Sequence, residues 1–259
     1  MSEIEFLGAL DVELLRHGEL RPEHPEHELF QTSTVQALLA GSYDGDVTIA
    51  EILEHGDLGL GTLNGLDGEL IVLDGEVWKA RLDCTLTRPP ASARTPYAVV
   101  VAFSPGEPVA LTGPFGEDEL ETRLGDRLTG AERPTAIRID GRFAEVHVRS
   151  VPRQRQPYRP LAEVIAEQRI SVLREVSGTM MGFCFPDALD GIEMLGAHLH
   201  FLSDDRKRGG HVLSYTLLDA VARLDGVTRL HVELPGGAVV PRRGAALDQS
   251  ALHRLESDR

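Results

Sequence analysis

At 259 residues, 42% hydrophobic and 26% charged, the chain is long enough for one large domain or two small ones, and its composition excludes a disordered or fibrous protein. The formal net charge of -15 repels phosphate backbones and argues against a nucleic-acid partner. The same field means that an anionic substrate would need a local cation, either a metal ion or a buried arginine.

The first 30 residues are polar and rich in Glu and His. They begin Met1-Ser2-Glu3-Ile4-Glu5, without the basic and apolar regions of a signal peptide. The apolar runs are too short to span a bilayer, so no membrane partner is expected. Cys84 and Cys184 make neither a CxxC pair nor a disulfide framework, which fits a reducing, cytoplasmic location. Thr32-Ser33-Thr34 then caps a short helix from Val35 to Leu39, ended by Gly41. Thr48 and Glu51 form a capping box whose helix stops at Gly56. Two strands, Glu69 to Leu73 and Glu76 to Ala80, flank Asp74-Gly75, the dipeptide of a type I′ hairpin. Ala98 to Phe103 reads as a continuous apolar strand and Glu117 to Leu128 as an amphipathic helix. Ala136 to Ile139 and Ala144 to Val148 read as a second hairpin around Asp140-Gly141.

The proline-rich stretch Val151 to Pro160 is the candidate domain boundary, near residue 155. A helix from Pro160 to Gln168 follows, with proline at its start. Strands are expected at Gly178 to Phe185, Gly196 to Leu202, His211 to Leu218 and Thr228 to Leu234. The pattern predicts an α+β fold of two sheet-rich units.

The informative chemistry lies in Gly196-Ala197-His198-Leu199-His200-Phe201-Leu202. On a strand His198 and His200 share one face, while Leu199 and Phe201 turn to the other. The polar segment Ser203 to Gly210 reads as a hairpin turn. A turn centred between Asp205 and Arg206 sets His211 directly opposite His200, so three imidazoles converge. Three protein ligands with no fourth Cys or His nearby make an open, catalytic type of zinc site rather than a closed structural one. The competing explanation is three histidines that cluster without binding metal.

Other residues carry weaker signals. Gly61 to Glu69 is a glycine-rich entry into a strand and not a P-loop, since no Gly-Lys-Ser/Thr follows. From the residues alone, Glu69 reads as a solvent-facing carboxylate at a strand start, with a pocket carboxylate as the functional alternative. Position alone makes Arg149 a surface arginine. Cys184, Met180 and Met181 read as core. His17, His24, His27, His55, His147, His231 and His253 have no useful spacing.

From about Gln36 to its C-terminus the chain resembles the bacterial acetolactate decarboxylases. The resemblance is carried, in order, by Gly65-Leu66-Asp67-Gly68-Glu69-Leu70, Trp78-Lys79-Ala80, Thr95-Pro96-Tyr97-Ala98, Arg149-Ser150-Val151-Pro152-Arg153-Gln154, Pro157-Tyr158, Gly178 to Phe183, and Gly196 to Leu202 with Gly209-Gly210-His211. It implies a zinc enzyme that turns 2-acetolactate into acetoin and carbon dioxide through a metal-stabilised enediolate. It places the zinc ligands on His198, His200 and His211. The other active-site positions fall on Glu69, Thr62, Arg149 and, in the C-terminal tail, Glu256. It also implies a homodimer of two-domain α+β chains. Residues 1–155 would form a mixed-sheet domain contributing Glu69 and Arg149. Residues 156–259 would form a smaller sheet or barrel that carries the metal, with a tail folding back over it. Two rival readings are a cupin-type metalloenzyme and a non-catalytic zinc-binding module. The first lacks the expected following Glu and the distant last His, and the second accounts only for Gly196 to His211.

Overall fold

The computed structural model describes residues 3–7, 10–16, 26–125, 128, 133–190, 192–194 and 196–234, with side chains from residue 26 onward. The apolar runs become strands, and the strands fall into two sheets. The first contains β1 (Glu3–Leu7), β2 (Leu10–Arg16), β3 (Glu28–Thr32), β5 (Leu58–Thr62), β6 (Glu69–Leu73), β7 (Glu76–Ala80), β8 (Leu86–Thr87), β10 (Tyr97–Val101) and β16 (Arg229–Leu234), in the order β1-β2-β16-β3-β10-β5-β6-β7-β8. It is mixed, because β16 runs parallel to both β2 and β3 while the other pairs are antiparallel. A two-stranded piece, β4 (Val47–Thr48) with β9 (Arg94–Thr95), lies apart from it.

The second sheet contains β11 (Val109–Phe115), β12 (Thr135–Ser150), β13 (Arg169–Phe185), β14 (Gly196–Ser203) and β15 (Gly209–Gly226), in the order β11-β15-β12-β13-β14. Because β14 also pairs with β15, the strands β15, β12, β13 and β14 close into a ring. Closure removes exposed sheet edges there and encloses a core.

Helices are few and short: α1 (Val35–Leu39), α2 (Ile49–His55), α3 (Glu117–Leu124) and α4 (Leu161–Ile165). The expected caps are present. Thr34 accepts from the Ala37 N–H at the start of α1, and Thr48 and Glu51 form the capping box of α2. Pro160 is the N-cap of α4 rather than its first helical residue, and α3 stops at Leu124, short of the expected Leu128.

Three apolar clusters hold this arrangement. The largest joins Leu58, Leu60, Ile71 and Val99 of the first sheet to Ala136, Met181, Phe183 and Leu202 of the second, so the two sheets pack on a shared core. The second includes Ile139, Phe143, Val146, Met180, Phe201 and Leu217 of the ring. The third, with Phe30, Val72 and Val100 under Ile49 and Ile52 of α2, covers the outer face of the first sheet.

Two expectations need correction. Residues 135–150 form one continuous strand paired on both sides, not a hairpin about Asp140-Gly141. Gly141 serves close strand approach there, since a Cβ would lie 2.3 Å from the Asp219 carbonyl oxygen. The strands also do not sort at residue 155: β11 and β12 belong to the second sheet, and β16 belongs to the first. Among the described residues no helix is long and apolar enough to cross a membrane.

Candidate metal centre

The metal-competent group is assembled by β14 and β15. Leu199 and Phe201 of β14 enter the core of the ring. The alternate positions His198 and His200 turn the other way, on the face whose Leu202 joins the core between the sheets. His200 pairs with His211 across the β14–β15 ladder, as the placement of the turn predicts. The turn is held locally: the Ser203 Oγ and Asp205 carboxylate lie 2.7 Å apart, and Arg206 adopts a left-handed φ of 56°. It is also held from outside. Gly209 N–H donates to the Cys84 carbonyl oxygen at 3.0 Å, and Leu86 N–H donates to that of Lys207 at 3.1 Å.

The ring centroids of His198, His200 and His211 lie 5.1 to 5.5 Å apart. One ligand atom from each comes within 4.8 Å of the others, and all three side chains are buried. Burial holds each imidazole in its neutral form, the form that ligates metal. It pushes His200 down to about 3, where the hydrogen bond to Leu70 pulls upward and Arg149 pushes further down. His198 and His211 are also held well below their ordinary value, by burial first and then by neighbouring imidazoles and Arg149. The His200 Nδ1 lies 2.8 Å from the Leu70 carbonyl oxygen, so it is the protonated nitrogen and Nε2 is left for an ion. The Nδ1 of His198 is buried with no hydrogen-bond partner among the described residues. Three neutral nitrogens, one of them unsatisfied, fit a coordinated cation.

Glu69 and Arg149 complete the centre. Neither lies on the surface, contrary to the plainest reading of its position. Glu69 is 7% exposed and Arg149 6%. Glu69 opens β6 behind Gly68, whose φ of 93° and 2.5 Å approach of a notional Cβ to the Ala80 carbonyl oxygen exclude a side chain. The turn thereby delivers the carboxylate inward. Its Oε1 lies 3.6 Å from an Arg149 guanidinium nitrogen, and its Oε2 lies 3.9 Å from His200 Nε2. Burial raises the Glu69 carboxyl to about 7 against the downward pull of Arg149. Arg149, near the end of β12, is the direct ladder partner of His211 and so projects on the same side of the sheet.

Thr62 is the cross-strand neighbour of Glu69, and its hydroxyl donates to the Gly68 carbonyl oxygen at 3.0 Å. It therefore braces the turn that presents Glu69. Glu256 lies outside the described residues. The Leu70 carbonyl, which fixes the His200 tautomer, had no local signal in the sequence. It is a backbone atom brought there by sheet-on-sheet packing.

Convergent neutral imidazoles, an acid poised near neutrality and a desolvated guanidinium are the parts of an enzyme site rather than of a passive binding module. The family model described as alpha-acetolactate decarboxylase matches residues 29–239. The chain belongs to the alpha-acetolactate decarboxylase family, and is thus a decarboxylase, a lyase. The alpha-acetolactate decarboxylase of Methylococcus capsulatus is 38% identical over 235 residues, 90% of each chain. That of Bacillus subtilis strain 168 is 36% identical over 228 residues, 88% of this chain and 89% of its own length. The crystal structure of the Bacillus subtilis strain 168 alpha-acetolactate decarboxylase superposes with a TM-score of 0.82 at 34% identity, covering 89% of this chain and all of that one. The cupin and zinc-module readings give way to this match.

Proposed function

We propose that the chain decarboxylates 2-acetolactate to acetoin and carbon dioxide at a zinc ion held by His198, His200 and His211. The observation that carries this reading is the buried imidazole trio with Arg149 beside it on the same sheet and Glu69 opposite it on the other. An all-imidazole donor set suits zinc and other late transition metals, and zinc is the ion that the family resemblance favours. When bound, it supplies Lewis acidity for the electron pair that carbon–carbon cleavage leaves on the substrate.

The chain's own residues do the rest. Arg149 offers a permanent positive charge with no competing water, suited to the substrate carboxylate before cleavage and to an enediolate after it. Glu69, held near neutrality, can take up or give a proton at its Oε atoms close to working pH. Thr62 keeps Glu69 in place through Gly68. Glu256, by resemblance, brings a second carboxylate from the tail. The resemblance also favours a homodimer, which sedimentation would check.

The test is direct. Purified protein incubated with racemic 2-acetolactate should release acetoin, with one enantiomer dominant, and should carry about one transition-metal ion per chain. Chelation should abolish turnover and zinc restore it. Single His198→Ala, His200→Ala or His211→Ala variants should lose the metal. Full activity in a metal-free preparation would overturn the reading.

A further inference from the structure

The strand that carries two of the histidines is fastened to the opposite sheet on either side of His198. Beyond it, His200 is tied to the Leu70 carbonyl oxygen of β6. Ahead of it, the segment leading into β14 is tied to β3, α1 and β10. The Ile192 carbonyl oxygen accepts from Val35 N–H at 2.9 Å and from Gln31 Nε2 at 3.0 Å. The Tyr97 hydroxyl of β10 donates to Glu193 Oε2 at 2.5 Å. Glu193 is 0% exposed and Tyr97 2%. Tyr97 is the ladder partner of Thr62, which is the ladder partner of Glu69, so all three stand in one row on one face.

Glu193 has no role in the chemistry described so far, and it is an awkward residue to keep. Its second oxygen, Oε1, is buried with no hydrogen-bond partner among the described residues. Leucine here, with phenylalanine in place of Tyr97, would fill the same space with no buried polar atom to satisfy. Its carboxyl receives the Tyr97 hydroxyl, and otherwise only the neighbouring Met194 backbone favours its charged form.

We propose that the Tyr97–Glu193 contact is a positioning contact for the histidine cluster, setting where the chain enters β14 relative to the sheet that carries Glu69. The proposal rests on the metal-binding reading of the three histidines. The ladder with β13 fixes the register of β14 within the ring, but β13 belongs to the ring as well. The ties beyond His198, at His200 and at the β14–β15 turn, hold the far end of the strand against the first sheet and leave its entry to be set separately. The tie on β10, with β5 between it and β6, fastens the near end and so sets where His198 meets its two partners. Tyr97 and Glu193 touch neither ion nor substrate in this role.

The experiment measures the zinc dissociation constant of the full chain by competition with a chromogenic chelator. Thermal melting, kcat and KM for 2-acetolactate are measured alongside. Tyr97→Phe should weaken zinc binding about tenfold, at the low end of what is lost when a ligand's own hydrogen-bond partner is removed. It should lower kcat more than it raises KM. Glu193→Leu should do the same, and takes the place of Tyr97→Phe if that variant does not fold. Glu193→Gln keeps an oxygen to receive the Tyr97 hydroxyl and should restore most of the affinity. Variants that melt lower but bind zinc as tightly as the parent would overturn the proposal. So would a Glu193→Gln variant as weak as Glu193→Leu, because the effect would then lie in the carboxyl group and not in the contact. A parent that binds no metal would remove the metal reading, and this proposal with it, a result distinct from unchanged affinity in the variants.

Discussion

Arg149 gains its force from where it sits. Removed from water beside three imidazoles, its charge lowers the proton affinity of each of them, and any anion that reaches the histidines meets it with little screening. Replacing it with alanine should leave the zinc content unchanged, because it donates no ligand atom. Turnover should fall roughly a hundredfold, the scale seen when one preorganised charge-stabilising donor is removed. Metal analysis of the purified variant beside acetoin assays checks both halves. Glu193 gives a second expectation, in stability. Burial raises its carboxyl from the ordinary 4.5 to about 8, so between those values the folded chain holds a proton that the unfolded chain has released. Its contribution is therefore fully present below about 4.5 and is lost as pH rises towards 8. Glu193→Gln cannot titrate, so its melting temperature relative to the parent should be higher at pH 8.5 than at pH 5, a comparison that calorimetry under identical metal conditions makes.

Among elements, β14 is paired with β13 on one side and β15 on the other. Gly182 of β13 pairs beside it, opposite Leu199, with a φ of 157°, and a Cβ there would come within 2.0 Å of the His198 carbonyl oxygen and 3.0 Å of Leu60. Gly182→Ala should push the strand off its bed, costing about 1–3 kcal/mol as an overpacked core does. It should weaken metal binding more than its loss of stability alone would suggest, which paired denaturation and chelator-competition measurements resolve. The β14–β15 hairpin was also the most legible element in the sequence. Period-two alternation and a countable turn are local signals, and they place His200 opposite His211 without reference to the rest of the chain. Local signals mislead at Asp140-Gly141, where turn chemistry is overruled by pairing on both sides of β12. There the Asp140 carboxylate receives hydrogen bonds from Arg138, Arg223 and Thr179 instead of shaping a turn.

At the scale of the molecule, the site exists because two sheets share a core. Glu69 reaches it from the first sheet, and Arg149 and the histidines from the second. That is why the inward aim of Glu69 and Arg149 was not legible in their own neighbourhoods. Local turns and ladders choose the face each side chain takes, but that this face is buried is decided by packing between sheets, such as Leu60 and Ile71 with Met181 and Leu202, and their functional reading came from family resemblance. The apolar clusters that hold the described fold draw on residues up to Leu234. Deleting residues 250–259 should therefore leave a folded, metal-binding chain. If Glu256 serves the reaction, that truncated protein should turn over 2-acetolactate far more slowly, and Glu256→Gln should reproduce much of the loss. A truncated protein working at the full rate would remove Glu256 from the site.

The length of β12 has a consequence for how such a chain can vary over generations. Its register is unbroken against β13 along nearly all of its 16 residues, although its ladder with β15 shifts at three places, and Arg149 stands close to one end. Adding or removing one residue near Gly141, roughly 26 Å away along the strand, would turn every later side chain to the opposite face and carry the guanidinium out of the cleft. Exchanges of one amino acid for another along β12 can be absorbed one at a time. A change in the count would need a new bulge in the unbroken ladder with β13, so its descendants should differ in spelling more readily than in length.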